Sequence, residues 1–265
     1  MEPEGRAVRG LAYVILAAGM GRRLSQSGHV GPKWLLPVAG RRIADYQLDG
    51  IAAAACPEDL CVVVTGFGAQ DISDLLAGRS APARVEHVHN GAWAANNNWL
   101  SLLLALRRLD SIGWTGGVVI INSDLCAPSA LFTDFMAAAR ALPIGRPMLA
   151  VDFERPLSDE AMKVAGTREK DGSFRCARIG KVDVAHPAGE YIGLSAFAPD
   201  DWRKMIPALH PFEVPERRDE WYEAAFQHIM DRVGAFSAWA TPSSNWVEVD
   251  NGQDWLRAVE TMAPR

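Results

Sequence analysis

Apolar and polar positions alternate in blocks along the first 150 residues, and the blocks have the lengths of strands and helices. Residues 11–17, 60–65, 117–121 and 148–152 are short apolar runs of the kind that fill a strand buried on both faces. Residues 84–88 suggest one more strand. Between these runs, residues 42–54, 69–76, 98–109 and 129–141 carry apolar positions at helical spacing, with Asn96 or Asn97 available to cap the third of them. Strands alternating with helices predict a largely parallel sheet with helices on both faces. The texture changes near Asp159. Two strand-like runs flank Asp171-Gly172, a hairpin signal, and residues 189–199 read as a further strand ended by proline. Helical stretches at 201–209 and 219–233, a strand at 246–250 and a capped helix from about Gln253 complete the chain. The expected architecture is a three-layer α/β/α fold with a mostly parallel mixed sheet, Rossmann-like, plus a β-hairpin lobe. No internal repeat or linker interrupts it, so a single domain over residues 1–265 is expected, built from two parts, 1–155 and 156–265.

Composition narrows the class of function. The formal charge of −5 argues against general attraction to nucleic acid or an anionic membrane, so any anion site must be a local cluster of basic residues. No apolar run approaches the roughly 20 residues that span a bilayer. The N-terminus is polar and does not read as a signal peptide. The 4 cysteines form no CxxC pair. A reduced cytoplasmic protein is the default expectation.

The clearest chemical signal lies at the end of the first strand. VILAAGMGRRL is followed, 9 residues after Leu24, by Lys33 within GPKWLLPVAGR. Leu16, Ala17, Ala18, Gly19 and Gly21 let the backbone approach a ligand closely and offer N–H groups to phosphates. Arg23 and Lys33 add cationic donors suited to triphosphate oxygens. The loop is not a Walker A motif, and Leu24 stands where a dinucleotide loop would place its third glycine. An ordinary strand-to-helix turn with surface arginines is the plain alternative. Asp124 follows the apolar strand GVVII, and Asp250 ends WVEVD. Carboxylates at strand ends suit Mg²⁺, although each aspartate could instead cap the helix that follows.

LAAGMGRRL with PKWLLPV resembles the signature of the nucleotidyltransferases that make NDP-sugars, CDP-choline and related compounds. The similarity extends in order to Asn97-Asn98 with Ser101-Leu102, to Asn122-Ser123-Asp124, and to Met162-Lys163-Val164. It continues through Ile179-Gly180-Lys181, Gly189 to Gly193, Trp221-Tyr222-Glu223, and Trp246, Glu248 and Asp250. These features are closest to the small cytidylyltransferase branch that acts on phosphocholine and phosphonates. The resemblance implies a nucleotide-diphospho-sugar transferase-like fold, Mg²⁺ held by Asp124 and Asp250, and Glu248 beside them. It assigns Arg23, Lys33, Lys163 and Lys181 to catalysis, the two later lysines facing the acceptor phosphate and the transferred α-phosphate. Asn97, Asn98, Ser101 and Ser123 fall to the nucleotide, with helix capping as the alternative for the asparagines. Glu190, Tyr191 and Tyr222 fall to the acceptor, with packing as the alternative.

The implied partners are CTP and a small phosphate- or phosphonate-bearing acceptor, with pyrophosphate released; a homodimer is the commonest assembly for such a protein. A sugar-1-phosphate nucleotidyltransferase using UTP, GTP or dTTP shares the glycine loop and is the alternative. His87 and His89 would share a strand face, but no third ligand accompanies them. The 9 tryptophans are scattered as for packing, with Trp93 and Trp221 candidates for stacking on a ligand.

Overall fold

The computed structural model describes residues 10–79, 84–242 and 245–263. Its first strand, β1 (Leu11–Ala17), is buried at every position. The two faces of that strand feed different cores. Leu11, Tyr13, Ile15 and Ala17 belong to one hydrophobic cluster, and Ala12, Val14 and Leu16 to the other. A strand covered on both sides has no polar face to expose, which is why it reads as an unbroken apolar run.

After the glycine loop comes one turn of helix, α1 (Arg22–Ser25), then a 3-10 turn at Lys33–Leu35, the short pair β2 (Pro37–Val38) and β3 (Arg41–Arg42), and α2 (Ile43–Ala54). The chain continues through β4 (Leu60–Thr65), α3 (Ala69–Ala77), β5 (Arg84–His89), α4 (Asn98–Ser111), β6 (Gly117–Asn122), β7 (Leu125–Cys126), α5 (Ser129–Arg140) and β8 (Met148–Asp152). The second half holds β9 (Lys163–Arg168), β10 (Phe174–Gly180), β11 (Gly189–Phe197), α6 (Met205–Leu209), α7 (Glu223–Arg232), β12 (Phe236–Ala240), β13 (Val247–Glu248) and α8 (Gly252–Met262).

One 9-stranded sheet carries the architecture, in the order β5-β4-β1-β6-β11-β8-β12-β10-β9. Strands β5, β4, β1 and β6 run parallel. Strand β11 then enters antiparallel between β6 and β8. Helices α2 and α5 supply Ile43, Ile51, Phe132 and Phe135 to one core. Helices α4, α6 and α7 supply Leu102, Leu106, Met205, Leu209 and Phe226 to the other, completing the three layers.

The β9–β10 hairpin forms as the Asp171-Gly172 signal predicts. Gly172 has φ +85°, and Asp171 Oδ1 accepts from Ser173 N–H and Oγ–H. Four expectations shift. Residues 236–240 (FSAWA) form β12, unmarked in the sequence pattern, and pair parallel to β8 and antiparallel to β10. Residues 201–209 divide into a 3-10 turn and the short α6, while the helix expected from residue 219 starts at Glu223. The last strand shrinks to β13, which pairs with β7 in a 2-stranded ribbon outside the main sheet. In that ribbon Val247 faces Cys126 and Glu248 faces Leu125, and Val249 N–H donates to Asp124 O at 3.0 Å. The ribbon therefore brings Asp124 and Asp250 together across a long stretch of chain. No helix among the described residues is long and apolar enough to cross a membrane.

Candidate active site

The carboxyl ends of β1 and β6 open into a cavity of about 580 Å³, within the ordinary range for small-molecule sites of roughly 300–1,000 Å³. Leu16, Ala18, Gly19 and Gly21 line it from the end of β1; Ala17, one step out of phase, is sealed in the core. Gly21 suits its place first by its backbone conformation and then by the space around it. Its φ is +65°, and a Cβ there would sit 3.3 Å from Cβ of Lys33.

Lys33 is buried, only 8% exposed. Its Nζ donates to Asp124 Oδ2 at 2.8 Å and to Asp250 Oδ1 at 2.5 Å. Arg23, more exposed, donates to the other oxygen of Asp250 at 2.9 Å. Burial works against the charged form of Lys33, but the two aspartates outweigh it and hold the ammonium protonated well past its ordinary range. Asp250 is the counterpart. Burial acts to raise its pKa, yet Lys33 and then Arg23 pull it below the usual carboxylate value.

One carboxylate oxygen from each of Asp124, Glu248 and Asp250 lies within 4.8 Å of the others. Burial, reinforced by the charges of Asp124 and Asp250, raises the Glu248 carboxyl well above its usual range. Asp124 Oδ1 is buried and has no hydrogen-bond partner among the described residues. An orphaned carboxylate oxygen within an all-oxygen donor set is what a hard divalent cation such as Mg²⁺ would complete. These residues fit the metal that the resemblance implies. Neither aspartate is a helix cap: Pro128 occupies the N-cap of α5 and Asn251 that of α8.

The cavity's far wall is built by the 90–98 segment and by residues from the second half of the chain. Asn97 caps α4 through Oδ1 and donates from Nδ2 to Asp219 O at 3.0 Å. Asn98 Oδ1 accepts from Tyr222 N–H at 3.0 Å. Both asparagines line the cavity, as do Ser101, Ser123, Lys181 and Tyr191. Lys181 Nζ lies 4.9 Å from the centre of the Trp221 ring and 3.6 Å from Glu160 Oε2.

Four of the expected site residues sit behind the wall, Ala17 among them. Lys163 does not line the cavity; its Nζ donates to the carbonyls of Lys181 at 2.9 Å and Asp159 at 3.1 Å, bracing the segment that carries Lys181. Glu190 is absent from the lining because alternation along β11 turns Tyr191 and Gly193 toward the cavity and Glu190 away from it. Glu190 instead neighbours Arg155 and Asp152, and burial raises its pKa against the pull of Arg155. Tyr222 is fully buried, and its hydroxyl donates to Asn122 Oδ1 at 2.9 Å while meeting Tyr191 Oη at 2.9 Å. Gly193, at φ +81°, leaves room for Asn122, whose Nδ2 would lie 2.8 Å from a Cβ there.

Several residues in this region were given no role from the sequence: Gln47 and Asn90 stand in no motif, and Glu223 was quoted only as part of one. Gln47 is fully buried in α2; its Nε2 donates to Asn122 O at 3.0 Å and Leu125 O at 2.9 Å, and its Oε1 accepts from Trp34 Nε1 at 2.9 Å. It clamps the backbone on both sides of Asp124. A lone glutamine among the apolar positions of α2 was the available signal. Asn90, 1% exposed, donates to Ser101 Oγ at 3.0 Å and accepts from Ala92 N–H at 3.0 Å, shaping the 90–98 segment. Glu223 lines the cavity with Oε2 buried and without a partner among the described residues, and burial pushes its carboxyl up to about 7. His87 and His89 lie apart from all of this, on β5.

Residues 13–169 match the family described as the MobA-like NTP transferase domain. The chain belongs to that family. Among similar proteins, a CMP-5'-(3-aminopropyl)phosphonate synthase of Streptomyces rubellomurinus is 26% identical over 266 residues, 95% of this chain and 38% of the relative. This chain thus spans about two-fifths of that relative's length. The solved CTP:phosphocholine cytidylyltransferase of Streptococcus pneumoniae superposes with a TM-score of 0.72 at 20% identity, covering 96% of this chain and 99% of that one. The inositol-1-phosphate CTP transferase of T. maritima superposes with a TM-score of 0.70 at 16% identity, covering 99% and 100%. At these identities the solved structures establish the nucleotidyltransferase fold of this MobA-like protein, whose three-layer architecture they share.

Proposed function

We propose that this chain is a Mg²⁺-dependent cytidylyltransferase that moves CMP from CTP to a small acceptor bearing a phosphate or phosphonate, with release of pyrophosphate. The observation that carries the reading is the trio of Asp124, Glu248 and Asp250, with one orphaned oxygen, set beside a glycine loop and two cations. The ordered motifs shared with the cytidylyltransferase branch favour CTP over the triphosphates used with sugar phosphates.

In the proposed reaction an acceptor oxygen forms a bond to the α-phosphorus of CTP, and the bond from that phosphorus to the bridging oxygen breaks. The electron pair leaves with pyrophosphate. A phosphate acceptor has its second pKa near about 6, so its attacking oxygen is already ionised at neutral pH and needs no general base. The protein's task is to hold two polyanions together in line and to offset the charge on the leaving group. Gly19 and Gly21 give the phosphates access to backbone. Arg23 and Lys33 stand where they can neutralise pyrophosphate. Lys181, steadied by Lys163, receives the acceptor. Asp124 and Asp250, with Glu248 beside them, would hold Mg²⁺, which supplies positive charge at the α-phosphate.

The test is pyrophosphate release with Mg²⁺ across CTP, UTP, GTP and dTTP, crossed with phosphate and phosphonate acceptors. Turnover with CTP and a small non-sugar acceptor is the expected result. Turnover confined to another triphosphate with a sugar-1-phosphate would overturn the assignment of CTP and acceptor.

A further inference from the structure

Three acidic side chains crowd one end of the sheet, and one ammonium lies among them. Lys33 Nζ bridges Asp124 Oδ2 and Asp250 Oδ1, and so ties together two of the three carboxylates of the trio. Arg23 meets Asp250 only from the solvent side, through its other oxygen, with 54% of its side chain exposed. A divalent ion held by those two aspartates would compete with the Lys33 ammonium for their negative charge. Lys33 nevertheless leaves the cluster incompletely served, since Asp124 Oδ1 still has no partner among the described residues. Its stem lies along Gly21 of the glycine loop, the side on which triphosphate oxygens are expected. A four-carbon stem with a compact head can turn from carboxylates to phosphates without backbone rearrangement.

Resting on the proposed function and deepening it, we propose that Lys33 is a place-holder for the divalent cation. In the free enzyme its ammonium occupies the position between Asp124 and Asp250, and it gives up that position to the metal only when triphosphate oxygens are present to receive it. Metal and nucleotide then load together. The free enzyme takes up the divalent ion poorly, because the ammonium already compensates Asp124 and Asp250 while the site waits for substrate. The two ligands are coupled through one side chain, and each raises the other's affinity.

Mn²⁺ binding, read by electron paramagnetic resonance of free against bound ion, tests this without turnover. Wild type, Lys33→Met, Lys33→Gln and Arg23→Ala are titrated with and without a non-hydrolysable α,β-methylene analogue of CTP. Asp124→Asn defines which bound ion belongs to the trio. Without nucleotide, Lys33→Gln and Lys33→Met are expected to bind Mn²⁺ at least about fivefold tighter than wild type, the lower end of ordinary coupling between sites. The analogue is expected to raise Mn²⁺ affinity more in wild type than in either variant. Lys33→Gln keeps hydrogen-bonding groups in the gap, so it reports even where the methionine variant fails to fold. Equal or weaker Mn²⁺ binding in the lysine variants overturns the place-holder. So does an equal gain in Arg23→Ala, which would reduce the effect to the loss of any nearby positive charge. Absence of a trio-dependent Mn²⁺ site in every protein, with or without nucleotide, instead overturns the metal assignment on which the proposal rests.

Discussion

Strand β1 has a carboxylate cluster near each end, and the two clusters are finished differently. At its start Asp59 is 2% exposed and completely served. Its Oδ1 accepts from Leu11 N–H at 2.8 Å and Arg140 at 3.2 Å; its Oδ2 accepts from Tyr13 Oη–H at 2.6 Å, Cys56 N–H at 2.9 Å and Arg140 Nη2. At the other end Asp124 Oδ1 has no partner among the described residues, Glu248 stands beside two more acids, and Lys33 is shared between two carboxylates. The residue types are alike, an acid with a cation and nearby hydroxyls. What separates structure from function is saturation. The Asp59 cluster has satisfied its own polar atoms and ties β1 to the connection before β4. The Asp124 cluster keeps a deficit that a ligand can fill.

That contrast predicts opposite outcomes for similar substitutions. The largest effect is expected from Asp124→Asn: turnover falls on the order of 10²–10³-fold, as when one electrostatic contact to a transition state is lost, while Tm stays at or above wild type. Steady-state pyrophosphate release and a thermal melt read both. Asp59→Ala is expected to do the reverse. Breaking a buried pair by removing one partner costs about 3–5 kcal/mol, a drop in Tm of roughly 10 °C, and the protein that remains folded keeps its kcat. A Tm loss in Asp124→Asn as large as in Asp59→Ala would erase the distinction.

Acid should find the same difference. Burial alone would raise the Asp59 carboxyl, but hydrogen bonds from Arg140, Tyr13 and two backbone N–H groups hold it below the ordinary value. A depressed folded-state pKa means that the stabilisation is complete above the unfolded value of about 3.9 and is lost as pH falls through the lower folded value. Urea unfolding of wild type is therefore expected to lose stability below about pH 4, with a shallower loss in Asp59→Asn.

Smaller effects sit between the clusters. Gln47→Ala leaves Trp34 Nε1 and the carbonyls of Asn122 and Leu125 without their buried partner. The expected cost is about 1–3 kcal/mol, with kcat lowered several-fold because the backbone around Asp124 loosens. Tyr222→Phe removes only the hydroxyl bonds to Asn122 and Tyr191; about 1 kcal/mol and a smaller change in kcat are expected. A Tyr222→Phe defect exceeding that of Gln47→Ala would move the tyrosine from support to the reacting groups.

Much of this arrangement was legible in the chain, and what was hidden has a physical reason. Strands buried on both faces, such as β1, β4 and β6, leave a continuous apolar signature that few other elements produce. The loop through Gly21 and Lys33 announced itself by composition and spacing. Strand β12 did not, because only Phe236 of its five residues is buried and the rest follow no period. The β7–β13 ribbon is two residues on each side; the run at 246–250 read as a strand, but Leu125–Cys126 is too short to mark itself as the partner that sets Asp124 against Asp250. The roles of Lys163, Glu190 and Tyr222 depended on which way a side chain faces. Neighbouring motif residues on one strand, such as Glu190 and Tyr191, cannot both enter the same cavity.

The central claim is that the unsaturated carboxylates exist for a metal–nucleotide complex, and calorimetric titration of CTP with and without Mg²⁺ tests it most directly. Wild type is expected to bind CTP with Mg²⁺ and to lose most of that affinity in chelator, while Asp124→Asn and Asp250→Asn bind weakly in both conditions. CTP affinity that is indifferent to Mg²⁺ and to both substitutions would contradict the account.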